Sequence, residues 1–205
     1  MLSLREQYND DLPAAQEPWL RIIRKEKSAG LFLFHGAPGT GKSTYIQHLI
    51  ARQKRKVLFF TPQLAAQLDG PNFTELLLDN ENAIVVIEDA EALLVSRDQT
   101  RSSTLSMLLN LTDGILGNSL GILFICTFNT EISRLDEALL RKGRLKGSYE
   151  FRPLETSKSQ ALLQKLHGPD ARAEGPMTLA DIYNWQAPAH TVTPRRTTIG
   201  FSVSH

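Results

Sequence analysis

The residues Gly36-Ala37-Pro38-Gly39-Thr40-Gly41-Lys42-Ser43 have the order of a phosphate cradle, G-x-x-x-x-G-K-[ST]. Glycines at these spacings let the main chain turn tightly, so that successive N–H groups converge on phosphate oxygens. A helix beginning at the loop adds the partial positive charge of its N-terminus. Lys42 would span the outer phosphates, and Ser43 would offer a small hydroxyl to a magnesium ion, with Thr44 its neighbour in the cradle. The bare pattern arises by accident in roughly one chain of this length in a hundred. A glycine-rich turn without a ligand is the competing reading, and the apolar run before the loop and the helical period after it count against that.

Hydrolysis of a bound phosphate chain also needs carboxylates near the metal. Glu88-Asp89 directly follows the apolar run Ile84-Val85-Val86-Ile87, at what would be the carboxyl edge of a strand. The first acid can hold the hydration shell of a metal, which makes Ser43 and Glu88 the expected metal set. The second can orient and polarise a water. Acids also favour the first turn of a helix, and that plainer reading competes until the phosphate loop is considered with it.

These residues must be positioned by a framework, and the hydropathy pattern supplies one. Unalternating apolar runs at 31–34, 57–60, 83–87 and 120–126 predict buried parallel strands, with a fifth near 148–151. Segments of helical period lie between them, including Tyr45, Ile46, Leu49 and Ile50, and Leu105, Leu108 and Leu109. The class is therefore α/β. A helix over 17–27 precedes the first strand. Thr61-Pro62 and Asp136 read as helix caps, Thr156 opens a helix ended by Gly168-Pro169, and a short helix is expected over 179–185. The resulting division is a helical lead-in (1–29), a core (30–153), a short helical lid (154–186) and a flexible tail (187–205).

A chain of 205 residues allows one full domain with a small appendage. Lys plus Arg number 23 against 22 Asp plus Glu, so no global field draws in a polyanion, and nucleic acid is not an expected partner. The longest apolar runs are far below the roughly 20 residues needed to cross a bilayer. Cys126, the single cysteine, makes no internal disulfide and reads as core. A cytoplasmic setting and no membrane partner are the expectations.

Over 30–151 the chain resembles the AAA family of ATPases. The resemblance rests on GAPGTGKST, IVVIEDAEAL, LLNLTDGI, FICTFNT and LDEALLRKGRL, which stand in that family's order. It implies a three-layer α-β-α phosphate-loop NTPase core, a five-stranded parallel sheet of order 5-1-4-3-2, and a short C-terminal lid. It also implies ATP and Mg2+ as cofactors, and a homo-oligomeric ring with sites between subunits that works on a protein client. Residue by residue, Asn129 resembles the sensor of the terminal phosphate, an amide that donates and accepts hydrogen bonds without taking protons. Arg144 resembles the finger extended into a neighbour's site, and Arg141 occupies another arginine position of that motif.

The chain departs from the family pattern in places. Glu88 precedes Asp89, an order similar to the mitochondrial inner-membrane branch, which leaves base and metal partner interchangeable. Gly147 stands where many members carry a further arginine, and the lid is about half the usual length. Phe73 is a weak candidate for a client-gripping aromatic, with core the commoner role, and 96–103 is a candidate second loop. Three other readings stay open: a small phosphate-loop kinase, a non-enzymatic nucleotide-dependent switch, and a DNA-acting loader. A kinase would leave Asn129 and Arg144 unexplained, and a DNA loader lacks an aromatic-basic groove.

Overall fold

The computed structural model describes residues 3–51, 53–61, 71–91, 103–129 and 137–186. Its five strands are β1 (Gly30–His35), β2 (Val57–Phe60), β3 (Ile84–Ile87), β4 (Leu123–Phe128) and β5 (Leu145–Glu150). They form one sheet in the order β2-β3-β4-β1-β5, the expected order read from the other edge, and every ladder is parallel. The helices are α1 (Leu4–Gln7), α2 (Asp11–Arg24), α3 (Lys42–Ile50), α4 (Pro71–Leu78), α5 (Ser103–Asp113), α6 (Ile115–Leu120), α7 (Thr156–His167) and α8 (Leu179–Tyr183).

The unbroken apolar runs follow from helices covering both faces of the sheet. Leu31, Leu33, Val85, Ile87, Phe124 and Cys126 face a cluster completed by Phe73 and Leu77 of α4 and Leu108 and Leu111 of α5. Phe32, Phe34, Ile84, Val86, Leu123 and Ile125 face the opposite cluster, with Trp19 and Ile23 of α2, Tyr45 and Leu49 of α3, and Leu162 and Leu163 of α7. This is a three-layer α-β-α sandwich. Trp19, Phe34, Tyr45, Tyr149 and Phe151 join in edge-on and tilted ring contacts at 4.8–6.5 Å beneath the phosphate loop, the edge-on geometry favouring aromatic pairs beyond their burial.

Several boundaries differ from the sequence-based expectation. The lead-in helix starts at Asp11 rather than 17. Its interior Pro18 withdraws only a donor to Ala14, and both residues are exposed, so water satisfies the carbonyl. The fourth strand begins at Leu123 because residues 115–120 form α6, closed by Gly121 at φ 66°. The fifth begins at Leu145. It is an edge strand of mixed exposure, so it carries no continuous apolar run to mark it. Phe73 is buried and packs edge-on against Phe60 at 5.5 Å, which makes it a core residue and removes it as a gripping aromatic. Cys126 is wholly buried, its thiol pushed up to about 12 by burial. The helix expected from Pro62 after the Thr61 cap, the cap at Asp136, most of the 96–103 loop and the tail 187–205 lie outside the described residues.

Candidate functional site

The loop after β1 holds its shape because neighbouring chain leaves no room for side chains on its glycines. A Cβ on Gly36 would lie 2.1 Å from the Phe151 carbonyl oxygen, and one on Gly41 would lie 2.5 Å from Leu179 Cδ1. Both residues also have φ values that disfavour other residue types, 133° and 93°. Thr40 donates to the Ala37 carbonyl at 2.7 Å, tightening the turn before α3 begins at Lys42.

Three sequence-separated segments meet over this loop. Lys42, 7% exposed, donates from Nζ to the Gly36 carbonyl at 2.7 Å, the Ala37 carbonyl at 3.0 Å and Asn129 Oδ1 at 2.9 Å. Asn129, just past β4, donates from Nδ2 to Asp89 Oδ1 at 2.8 Å, and Asp89 N donates to Thr127 Oγ1 at 3.0 Å. Burial lowers the Lys42 pKa, and the charges of Asp89, Glu91 and Glu88 work against that in decreasing order. The ammonium makes its direct contacts to carbonyl oxygens rather than to a carboxylate, so an incoming anion need not displace an ion pair.

A cavity of about 630 Å³ opens above these groups, a volume suited to a nucleotide. Gly39, Gly41, Lys42, Ser43, Thr44, Asp89 and Asn129 line it, with Pro38 at its rim. Glu88 is half-buried at the end of β3 and is not among the lining residues, so the two acids, adjacent in sequence, differ in access.

Sequence reasoning missed the residues that complete the cavity. Gln7 of α1 and Leu179, Ala180 and Tyr183 of α8 line it, and Gln7 Nε2 donates to Tyr183 Oη at 2.7 Å across the rim. Tyr8 Oη donates to the Gly41 carbonyl at 2.9 Å, and Ala180 N donates to the Gly39 carbonyl at 3.0 Å. Asn9 bridges the Pro153 carbonyl and Glu155 N at 3.0 and 3.1 Å. The amino-terminal turn and the C-terminal helix pair thus grip the loop from both sides. These polar pairs join residues 33 to 176 positions apart in the sequence, so no local spacing encodes them. The capping boxes Ser3–Glu6 at the start of α1 and Thr178–Asp181 at the start of α8 are local signals for the helices, not for these contacts. Glu91 accepts from Asn129 N and was likewise missed, although it is the third acid of Glu88-Asp89-Ala90-Glu91.

Arg144 lies elsewhere. Its carbonyl accepts from Leu31 N at the beginning of β1, and its guanidinium donates to the Ala138 carbonyl. The phosphate loop follows the other end of β1, roughly 15 Å away along the strand, so Arg144 is not part of its own chain's cavity. Arg141 is exposed in the same corner. Gly147 sits under Trp19, whose Nε1 would be 2.4 Å from a Cβ there, which explains glycine at that position.

The profile of the ATPase family associated with various cellular activities (AAA) matches residues 32–153, more than half of the chain. The chain belongs to the AAA family. Its AAA domain is 30% identical over 124 residues to the mitochondrial chaperone BCS1 of Bos taurus, covering 56% of this chain and 29% of that protein. It is 36% identical over 126 residues to an AAA-ATPase of Arabidopsis thaliana, covering 56% of this chain and 25% of that protein. It is 29% identical over 178 residues to the 26S proteasome regulatory subunit 6A of Saccharomyces cerevisiae, covering 80% of this chain and 38% of that protein. The chain therefore matches well under half the length of these relatives. Among the described residues, no helix is long and apolar enough to cross a membrane.

Proposed function

We propose that this AAA domain binds ATP with magnesium in the cavity above Lys42, hydrolyses it, and works as a homo-oligomer that uses turnover to remodel a protein partner. The observation that carries this reading is the chain of contacts Lys42–Asn129–Asp89, which joins the phosphate loop to the ends of β3 and β4.

The loop N–H groups and Lys42 bind the phosphates, and Lys42 exchanges its carbonyl contacts for phosphate oxygens. Ser43 would hold the magnesium ion directly, and Glu88, set back from the cavity lining, would hold its hydration shell, a hydroxyl and a carboxylate suited to a hard cation. When bound, that ion offsets phosphate charge. Asp89, fixed by Asn129 and the Thr127 hydroxyl, polarises the attacking water, while Asn129 senses the terminal phosphate. Residues 154–186 act as the lid through α8. Arg144, remote from its own cavity, completes the site of a neighbouring copy, with Arg141 beside it.

Mixing Lys42→Ala with Arg144→Ala protein tests this reading. Each variant alone loses phosphate release, and the mixture recovers part of it at sites that pair an intact loop with an intact arginine. No recovery, with ATP binding to Arg144→Ala protein preserved in calorimetry, refutes action in trans. No heat from ATP with the unaltered chain refutes the whole reading.

A further inference from the structure

Charge is distributed unevenly over a nearly neutral chain. Segments 21–27 and 52–56 hold eight of the 23 lysines and arginines and one of the 22 acids, so the rest of the sequence carries a net charge of −6. The fold brings 21–27 and the described residues 53–56 together at the end of the sheet where the strands begin, opposite the nucleotide cavity.

Arg55 is the pin. Its guanidinium donates to the Asn82 carbonyl at 2.8 Å, Ser28 Oγ at 2.8 Å, the Ser28 and Ala83 carbonyls at 3.3 and 3.0 Å, and the Gly121 carbonyl. One side chain thereby fixes the connections leading into β1, β3 and β4, next to the start of its own strand β2. Beside it opens a cleft of about 500 Å³ whose lining includes Arg24, Glu26, Gln53, Lys54 and Asn82.

Around the cleft Arg21, Arg24, Lys25, Lys27, Lys54 and Lys56 are exposed. Lys27 pairs with Glu81 at 3.7 Å and Lys56 donates to Asn80 at 3.2 Å. The side chains of Arg21, Arg24, Lys25 and Lys54 make no ion pair or hydrogen bond among the described residues. Arg21 and Arg24 close α2, where the helix dipole favours cations. That accounts for neither Lys54 nor the meeting of the two segments.

We infer that this face docks an acidic segment of a partner protein. Carboxylates complement the unpaired cations, and the cleft lining also includes Glu26 and Gln53, whose side-chain oxygens accept and which a peptide meets with its own N–H groups. A phosphodiester backbone brings only acceptors and would face Glu26 unpaired. Neither basic segment contains an aromatic residue on which a base could stack. The tail 187–205 has no acid at all, so it is not the occupant.

The test measures anisotropy of a fluorescein-labelled Glu/Gly copolymer peptide, and of single-stranded DNA of matched charge, with the full chain near physiological salt. The peptide binds more tightly than the DNA. Arg24→Glu with Lys54→Glu weakens peptide binding about tenfold or more, whereas Arg5→Glu with Arg172→Glu, the same net-charge change at exposed positions remote from the cleft, leaves it nearly unchanged. Arg24→Gln with Lys54→Gln gives an intermediate loss and guards against a folding defect in the reversed pair, as do unaltered melting temperatures. The inference is overturned if the peptide does not bind, if DNA binds equally or better, or if the remote reversal weakens binding as much as the local one.

Discussion

Lys42 is buried and Arg55 half-buried, both cations held by carbonyl oxygens rather than carboxylates, yet they sit at opposite ends of the sheet and do different work. Lys42 ends in a compact ammonium beneath an open cavity, with its few acceptors supplied by the loop and Asn129 and with acids near enough to support its charge. Arg55 spreads a planar fork over four main-chain carbonyls and one hydroxyl, and burial pulls its pKa down to about 10, so it stays charged at neutral pH. A point charge that can change partners suits a migrating or incoming phosphate. A fork with its donors already committed suits a strut. Each charge borders a cavity, so neither partner type nor adjoining space separates the two roles; what separates them is that the Arg55 fork is committed to five acceptors of the fold, whereas the Lys42 ammonium can exchange its acceptors.

The largest effect expected from this contrast is on turnover. Lys42→Ala lowers phosphate release by about a hundredfold or more while leaving the urea unfolding midpoint unchanged or slightly raised, because a partly desolvated charge is removed. A destabilised Lys42→Ala protein would break the comparison by making Lys42 a strut as well.

Arg55→Ala reverses the pattern. It costs about 2–4 kcal/mol of stability in urea unfolding, since several buried carbonyls lose their donor together, and ATP affinity of the folded protein is retained. Arg55→Lys restores less than half of the loss, because an ammonium cannot reach carbonyls of separate connections at once. Full recovery with lysine would show that charge rather than the fork holds this end of the sheet.

The smallest effect concerns an exposed cation whose partner is a carboxylate rather than a carbonyl oxygen. Lys165 of α7 donates to Glu6 of α1, and this contact first, then Ser3 N–H, lowers the Glu6 pKa from 4.5 to about 2. A lowered folded-state pKa gives stabilisation that is complete above the unfolded value and fades as pH falls from 4.5 towards 2. Amide protection in 3–8, taken relative to the intrinsic exchange rate at each pH, should therefore fall over that interval, and Glu6→Gln should abolish the dependence. The effect is small because the pair is solvated.

The central strands, the phosphate loop and the acids after β3 were legible in the sequence because each depends on local pattern: unbroken apolar runs for strands covered on both faces, and glycines where the backbone must turn through positive φ; the order of the strands in the sheet was implied only by the family resemblance. Edge strand β5 and helix α6 were misplaced or missed because mixed exposure and a short glycine-bounded turn leave a faint pattern. Only the tertiary structure decided that Gln7, Tyr8, Leu179 and Tyr183 converge on the loop, that Asp89 rather than Glu88 lines the cavity, and that the basic segments meet around Arg55. Those contacts join residues far apart in the chain, and no local spacing encodes which distant backbone will lie within hydrogen-bond reach once the sheet has closed and its helices have packed.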